Sequence, residues 1–140
     1  MRIMAIDFGA ARVGVALSDP LGVIVGSSRT LDGHNYERLL DTLCALIAEH
    51  AVTTVVVGNP KNMNATEGPG SQACRKLAED LTARCGVATA MWDERRTTVD
   101  AARILRESGR RAKDQKGAID SVAAGLILQG YLDFLNSGAE

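Results

Sequence analysis

The fold is decided by the first stretch of the chain, MRIMAIDFGAARVGVALSDPLG, residues 1–22. Apolar residues alternate through it in two runs and a third run follows, which predicts three strands that each bury a face. The predicted strands span residues 2–8, 13–18 and 23–28. The connections between them are shorter than the roughly twelve residues that a crossover needs, so the three strands should form an antiparallel meander.

Helical and strand patterns alternate after the meander. Helices are predicted over residues 36–50, 71–85, 99–109 and 118–135, and strands over 53–57 and 87–92. Because the first two helices act as crossovers, the last two strands should run parallel to the first. This order predicts one α/β domain, residues 1–140, with a five-stranded mixed sheet flanked by helices, as in the RNase H-like fold.

Composition limits the class of protein. Apolar residues make up 46% of the chain and aromatic residues only 4%, which predicts an aliphatic core. No apolar stretch approaches the roughly 20 residues of a membrane span, and the N-terminus carries Asp7 where a signal peptide would be apolar. The three cysteines lack a metal-binding spacing, and Cys44 and Cys74 are predicted to be small buried side chains. We therefore expect a cytoplasmic protein that does not bind membranes.

Acidic residues are predicted at one edge of the sheet. Asp7 ends the first strand, and Asp93 and Glu94 end the fifth, so their carboxylates should meet where parallel strands end. Successive residues of a strand face opposite sides, so only one of Asp93 and Glu94 should face Asp7, and the spacing does not say which. Asp120 lies in a nearly apolar helix, at the border of its buried stripe. Taken singly, each acid also fits an ordinary turn, a solvated surface or an ion pair with Lys116.

Together these carboxylates predict a divalent-metal nuclease site. Mg²⁺ and Mn²⁺ prefer carboxylate oxygens, and two-metal phosphodiester hydrolysis needs several of them around ions about 4 Å apart. His34 and His50 flank the first helix, are expected to be exposed and do not suggest zinc. Net charge is −1, but basic residues concentrate over 103–116, and the loop 58–68 offers further groups for phosphate oxygens.

The motifs resemble the YqgF family, also called RuvX, of pre-16S ribosomal RNA nucleases related to Holliday-junction resolvases. The resemblance covers nearly the whole chain and rests on four ordered motifs. Their residues are Asp7, Phe8, Gly9, Arg12, Gly14, Ser18 and Asp19; Gly58, Pro60, Asn62, Met63, Thr66, Glu67 and Gly68; Asp93, Glu94, Arg95, Thr97 and Thr98; and Lys116, Asp120, Ala123, Ala124, Ile127, Leu128 and Gln129. The chain departs from the family at Asn64-Ala65, where an Asp-Gly pair is usual, and it has no acid on the fourth strand, where related resolvases carry one.

The resemblance implies a cytoplasmic enzyme, dependent on Mg²⁺ or Mn²⁺, that matures the 5′ end of small-subunit ribosomal RNA. It implies that Asp7, Glu94 (or Asp93) and Asp120 are catalytic metal ligands. The substrate contacts that it implies are Arg12, Lys61, Asn62, Arg95 and Lys116.

Three other interpretations stay open at this point. A resolvase acting on branched DNA would need two coordinated sites and hence a dimer, and the sequence does not decide between monomer and homodimer. A non-catalytic nucleic-acid-binding module would use the same basic stretch without cleaving. A nucleotide-binding domain of the actin–Hsp70 class is disfavoured, because that class needs two such domains and 140 residues supply one.

Overall fold

Five strands form one mixed sheet in the computed structural model of the chain, which describes residues 1–9, 11–59, 68–94 and 116–136, with side chains of the last segment from residue 122 onward. The strands are β1 (Arg2–Phe8), β2 (Arg12–Ser18), β3 (Val25–Asp32), β4 (Val52–Asn59) and β5 (Ala88–Asp93), and the helices are α1 (Tyr36–Glu49), α2 (Pro69–Cys85) and α3 (Lys116–Asn136). The helix predicted over 99–109 falls outside the described residues.

The sheet has the strand order β3-β2-β1-β4-β5. β2 runs antiparallel to both β1 and β3, and β4 runs parallel to both β1 and β5. The predicted meander and the predicted parallel strands are therefore confirmed. β1 lies at the centre of the sheet, so the residues at its carboxyl end are flanked by β2 on one side and by β4 on the other.

Two apolar cores lie on opposite faces of the sheet. Met4 and Ile6 of β1 pack with the buried residues of α1 and α2, whereas Ile3 and Ala5 pack with those of α3. This alternation follows from the period of two along a strand. It places Asp7, two residues beyond Ala5, on the face that α3 covers. Within the described segments, α1, α2 and α3 are each too short or too polar to cross a membrane.

Local signals fix the ends of the helices close to the predicted positions. The side chain of Asn35 caps α1 by accepting a hydrogen bond from the backbone N–H of Arg38 at 3.0 Å. Gly86 ends α2 in the left-handed conformation, with φ of 69°, and its N–H donates to the carbonyl of Thr82. Glycine adopts this conformation without the steric cost that a Cβ imposes, which is why α2 stops there.

The third strand begins later than the sequence pattern predicts. β3 starts at Val25, not at Val23, because Asp19 organises a longer turn. Its carboxylate accepts hydrogen bonds from the backbone N–H groups of Val23 and Ile24, at 2.7 and 3.0 Å. The strand also continues to Asp32, four residues beyond the predicted end. As a result, residues 29–32 belong to the sheet and reach its edge.

The prediction for Cys44 is wrong, and the one for Cys74 is confirmed. Cys74 is buried, with 2% of its surface exposed. Cys44 of α1 instead forms a disulfide with Cys85, the last residue of α2. Helical periodicity cannot show this pairing, because it depends on how two helices that are distant in sequence pack side by side. Arg84 reinforces the same interface by pairing with Glu37 and Asp41.

Reduction of the Cys44–Cys85 bond is expected to lower the free energy of unfolding. The bond joins positions 41 residues apart. Closing a loop of that size restricts the unfolded chain by about 3–4 kcal/mol in the chain-entropy model. The urea midpoint of the wild type should therefore fall on adding a reductant, whereas that of a Cys44→Ser/Cys85→Ser variant should not respond. Equal midpoints for the wild type with and without reductant would contradict the pairing.

Candidate active site

Asp7 lies between two glycines at the carboxyl end of β1. It pairs with Gly14 of β2, and the parallel register that pairs Ile6 with Val57 continues to Gly58 of β4. Residues paired across neighbouring strands project to the same face of a sheet. Neither neighbour of Asp7 has a side chain on that face, so its carboxylate stands over a floor of backbone. On its own face of the sheet, Asp7 therefore has no side-chain neighbour from the paired positions of β2 and β4.

Glu94 reaches over this floor from the end of β5. Its Oε1 lies 3.1 Å from the position that a Cβ would occupy on Gly58. Burial, followed by the negative charges of Asp7 and Asp93, raises the pKa of Glu94 to about 7. The same two carboxylates, Glu94 and Asp7, add to the burial that raises the pKa of the Cys74 thiol to about 11. Asp7 and Glu94 therefore form a half-buried negative site on the α3 face.

Asp93 projects to the opposite face. Its neighbour Trp92 is buried in the core under α3, whereas Met91, two residues before Asp93, packs against the core under α1 and α2. Alternation along β5 then gives Asp93 the side of Met91. Of the two acids between which the sequence left the choice open, Glu94 is the one that shares a face with Asp7.

Asp120 belongs to the first turns of α3, and its side chain is outside the described residues. Ala124 and Ile127, four and seven positions later, are buried on the stripe of α3 that faces the sheet. The Cδ1 of Ile127 lies 2.6 Å from the position of a Cβ on Gly58. The helix therefore runs close over the glycine floor. Among the side chains that are described, no three acidic, histidine or cysteine groups converge on a metal position.

Of the five predicted substrate contacts, Arg12 lies in the part of the chain that the structure describes, and the side chains of the other four lie outside it. Arg12 is exposed at the start of β2, which lies at the same edge as the end of β1. The backbone N–H of Gly9 donates to the carbonyl of Arg12 at 3.1 Å, and a Cβ on Gly9 would approach that carbonyl to 2.6 Å. Glycine is therefore needed for the turn that presents Arg12. Residues 61, 62 and 95 and the side chain of residue 116 are outside the described part of the chain.

Sequence reasoning missed three residues at this edge, Thr30, Asp32 and His34. They line an open pocket together with Arg12. The prediction ended the third strand at residue 28, so nothing placed residues 30–34 at the edge of the sheet where β2 begins. The register supplies that information, since Arg12 pairs with Asp32 and Gly14 pairs with Thr30.

A methyl group on Gly58 is expected to disturb both the fold and the site. Gly58→Ala brings a Cβ within 2.6 Å of Ile127 Cδ1 and 3.1 Å of Glu94 Oε1. Overpacking of this kind costs about 1–3 kcal/mol. Ile127→Val removes Cδ1 and with it the clash. The double variant Gly58→Ala/Ile127→Val should therefore be more stable than the sum of the stability changes of the two single variants predicts. Cleavage by the double variant should stay impaired, because the methyl group still contacts Glu94.

Gly125→Ala is the matched control for Gly58→Ala. Nothing lies within 4 Å of a Cβ at Gly125, which is in the middle of α3. Alanine there should raise stability by about 0.5–1 kcal/mol, because glycine is the poorer helix former. Urea unfolding of the wild type and the four variants measures all of these effects. Equal stabilities for Gly58→Ala and wild type would show that the floor tolerates a side chain.

The strand order and the two carboxylates define the class of protein. An antiparallel meander continued by parallel strands, with acids ending β1 and β5 beneath a C-terminal helix, describes a nuclease of the RNase H-like fold. The model of the RuvX family, described as Holliday junction resolvase, matches residues 1–134. The chain belongs to the RuvX family, which confirms the resemblance inferred from its motifs.

Relatives in this family match the chain over almost its full length. A pre-16S rRNA nuclease of Lachnospira eligens is 43% identical over 136 residues, which cover 95% of this chain and 97% of the relative. A protein of the same name from Listeria monocytogenes is 45% identical over 138 residues, covering 97% of this chain and 100% of the relative.

Solved structures of resolvases share the fold. RuvC of T. thermophilus, in complex with a Holliday junction substrate, superposes with a TM-score of 0.63 at 11% identity, covering 99% of this chain and 96% of that one. The fowlpox virus resolvase bound to Holliday junction DNA gives a TM-score of 0.59 at 10% identity, covering 96% and 99%. At such identities the likeness is one of fold.

Proposed function

We propose that this protein is a cytoplasmic endonuclease that matures the 5′ end of pre-16S ribosomal RNA with Mg²⁺ or Mn²⁺. The observation that carries the proposal is the pair of carboxylates, Asp7 and Glu94, on a floor of glycine in a member of the RuvX family. RNA as the substrate is supported by the name of relatives that are 43–45% identical to this chain.

The residues at the site suit a divalent cation. Burial and the charge of Asp7 raise the pKa of Glu94 to about 7, and a bound cation relieves both effects. Asp7, Glu94 and Asp120 would hold the metal, with Asp93 as the other acid of the motif. When bound, the metal activates a water and stabilises the leaving oxygen. The chain itself holds Asp7 and Glu94 on one face of the sheet, beside Gly58.

Positive groups of the chain would orient the substrate. Arg12 presents a guanidinium at the catalytic edge, and a guanidinium matches two phosphate oxygens at once. The other proposed contacts are Lys61, Asn62, Arg95 and Lys116. Cation contacts of this kind position a phosphate backbone without reading its sequence. The choice of cutting position must then come from the shape of the RNA or from further contacts.

Branched DNA is the second candidate substrate. It is favoured by the family description and by the resolvases that share the fold. Resolution of a symmetric junction requires two cuts related by a twofold axis, so this function would require a homodimer, whereas a single cut in pre-rRNA is possible for a monomer.

The test compares both substrates under the same conditions. A labelled RNA spanning the 5′ end of 16S rRNA and a four-way DNA junction are incubated with the protein in Mn²⁺, in Mg²⁺ and in EDTA. We expect a single metal-dependent cut in the RNA that EDTA abolishes and added Mn²⁺ restores. Preferential cutting of the junction would assign branched DNA as the substrate. Binding without cutting under any condition would assign the protein as a non-catalytic module.

A further inference from the structure

The pocket beside β2 and β3 opens on the same edge and face as Asp7. Its volume is about 490 Å³, and it is lined by Ala11, Arg12, Thr30, Leu31, Asp32 and His34. Gly14 pairs with Asp7 on one side and with Thr30 on the other. Thr30 and Asp7 therefore lie in one row across the sheet, separated only by a glycine. At about 4.8 Å between strands, the row spans about 10 Å.

The lining of this pocket suits a sugar–phosphate backbone. Arg12 is exposed and permanently charged, and its fork of N–H donors matches phosphate oxygens. The hydroxyl of Thr30 can donate to an oxygen or accept from one.

Among the residues that line the pocket, His34 engages the carboxylate of Asp32. The carboxylate accepts from the backbone N–H of His34 at 2.9 Å, and it lies 2.6 Å from the ring Nδ1. These two contacts hold the pKa of Asp32 below its usual range. Because an ionised carboxylate only accepts, Nδ1 carries the hydrogen, and the other ring nitrogen, Nε2, remains for a ligand. The imidazole is thereby oriented while 74% of its side chain stays exposed.

We propose that this pocket is a backbone subsite for the substrate strand, on one side of the cut. The strand passes from the carboxylates of Asp7 and Glu94 over Gly14 and enters the pocket, where Arg12 binds a phosphate and Nε2 of His34 accepts a hydrogen bond from a hydroxyl of the adjoining sugar. The inference rests on the proposed nuclease function and adds to it the direction in which the substrate leaves the site, toward the edge strand β3.

A fluorescein-labelled single-stranded RNA tests this subsite in two independent measurements, one of binding and one of cleavage. Binding is measured in the Asp7→Asn background so that no cutting intervenes. Arg12→Gln should weaken binding about tenfold and lower the slope of log affinity against log salt by about 0.7, the value for one phosphate contact on a single strand. His34→Gln should weaken binding several-fold, and Arg12→Lys, which keeps the charge but not the fork, should be intermediate.

Arg29→Gln is the control of matched charge. Arg29 is an exposed residue of the same strand, and it pairs with Val15, whose side chain lies in the core on the opposite face. It should bind RNA as the Asp7→Asn parent does. The RNA is then shortened from each end in turn. Removal of nucleotides from one end should weaken the parent but not Arg12→Gln, because that variant has already lost the contact.

The outcomes separate this subsite from the nuclease function. If the wild type cuts RNA and the Arg12→Gln and His34→Gln variants cut and bind equally well, the subsite is wrong and the nuclease stands. If the wild type never cuts but these variants lose binding, the subsite stands and the nuclease is wrong. If no form binds RNA, both are overturned. Circular dichroism of each variant shows whether it is folded.

Discussion

Replacing Asp7 with asparagine is expected to lower metal-dependent cleavage by at least about 10³-fold, because loss of a ligand removes several kcal/mol of charge stabilisation. Asparagine matches aspartate in size, so the packing beside Gly14 and Gly58 should not change. The free energy of unfolding, measured in urea, should stay within about 0.5 kcal/mol of wild type, as for changes that leave packing intact. Single-turnover cleavage with saturating Mn²⁺ measures the chemical step, and circular dichroism confirms the fold.

Asp41→Asn is the control for Asp7→Asn. Asp41 is also an aspartate, 75% exposed, on the helix that covers the opposite face of the sheet, and it pairs with Arg84. Its replacement removes the same charge far from the site, so cleavage should stay within about twofold of wild type, as expected for an exposed pair of small energetic value. If Asp7→Asn cuts as fast as Asp41→Asn, Asp7 is not a ligand and the proposed site is wrong.

The sheet was predictable from local signals, because the length of each connection determines whether the two strands it joins run parallel or antiparallel. Short turns within residues 1–24 permit only antiparallel neighbours, and the helices between later strands permit parallel ones. The limits of β3 were not predictable, since the Asp19 turn competes with strand pairing for the backbone of Val23 and Ile24. That error hid the pocket, because the residues that line it follow the predicted end of the strand.

The site was predictable in part. Asp7 was recognised because a carboxylate is unusual at the end of an apolar strand. The choice between Asp93 and Glu94 needs the register, which places Glu94 over Gly58 and Asp93 on the other face. Gly14 and Gly58 belong to the motifs of the family resemblance, but the sequence does not show what they do at the site. Their role appears only from the register, in which Gly14 pairs with Asp7 and Gly58 directly follows Val57, the partner of Ile6.

Glu94→Gln is expected to abolish cleavage and yet stabilise the metal-free protein. The pKa of Glu94, about 7, lies above the usual value of 4.5 for a glutamate, so between these pH values the folded state holds a proton that the unfolded state has lost. Stability therefore falls as pH rises through this window and stays lower above it. Glutamine carries no charge and escapes this loss. At pH 8 in EDTA the variant should gain about 1–2 kcal/mol, allowing for the partial exposure of Glu94.

Two measurements distinguish this from a general stabilising effect. At pH 4 the gain should vanish, because Glu94 is then protonated in both states of the wild type. Added Mn²⁺ should raise the melting temperature of the wild type more than that of Glu94→Gln, since a ligand stabilises only the form that binds it.

Asp93→Asn, which removes the neighbouring charge on the other face, should keep cleavage within several-fold of wild type. If instead Asp93→Asn abolishes cleavage and Glu94→Gln does not, Asp93 is the ligand, and the raised pKa of Glu94 reflects burial beside the site rather than a role in it.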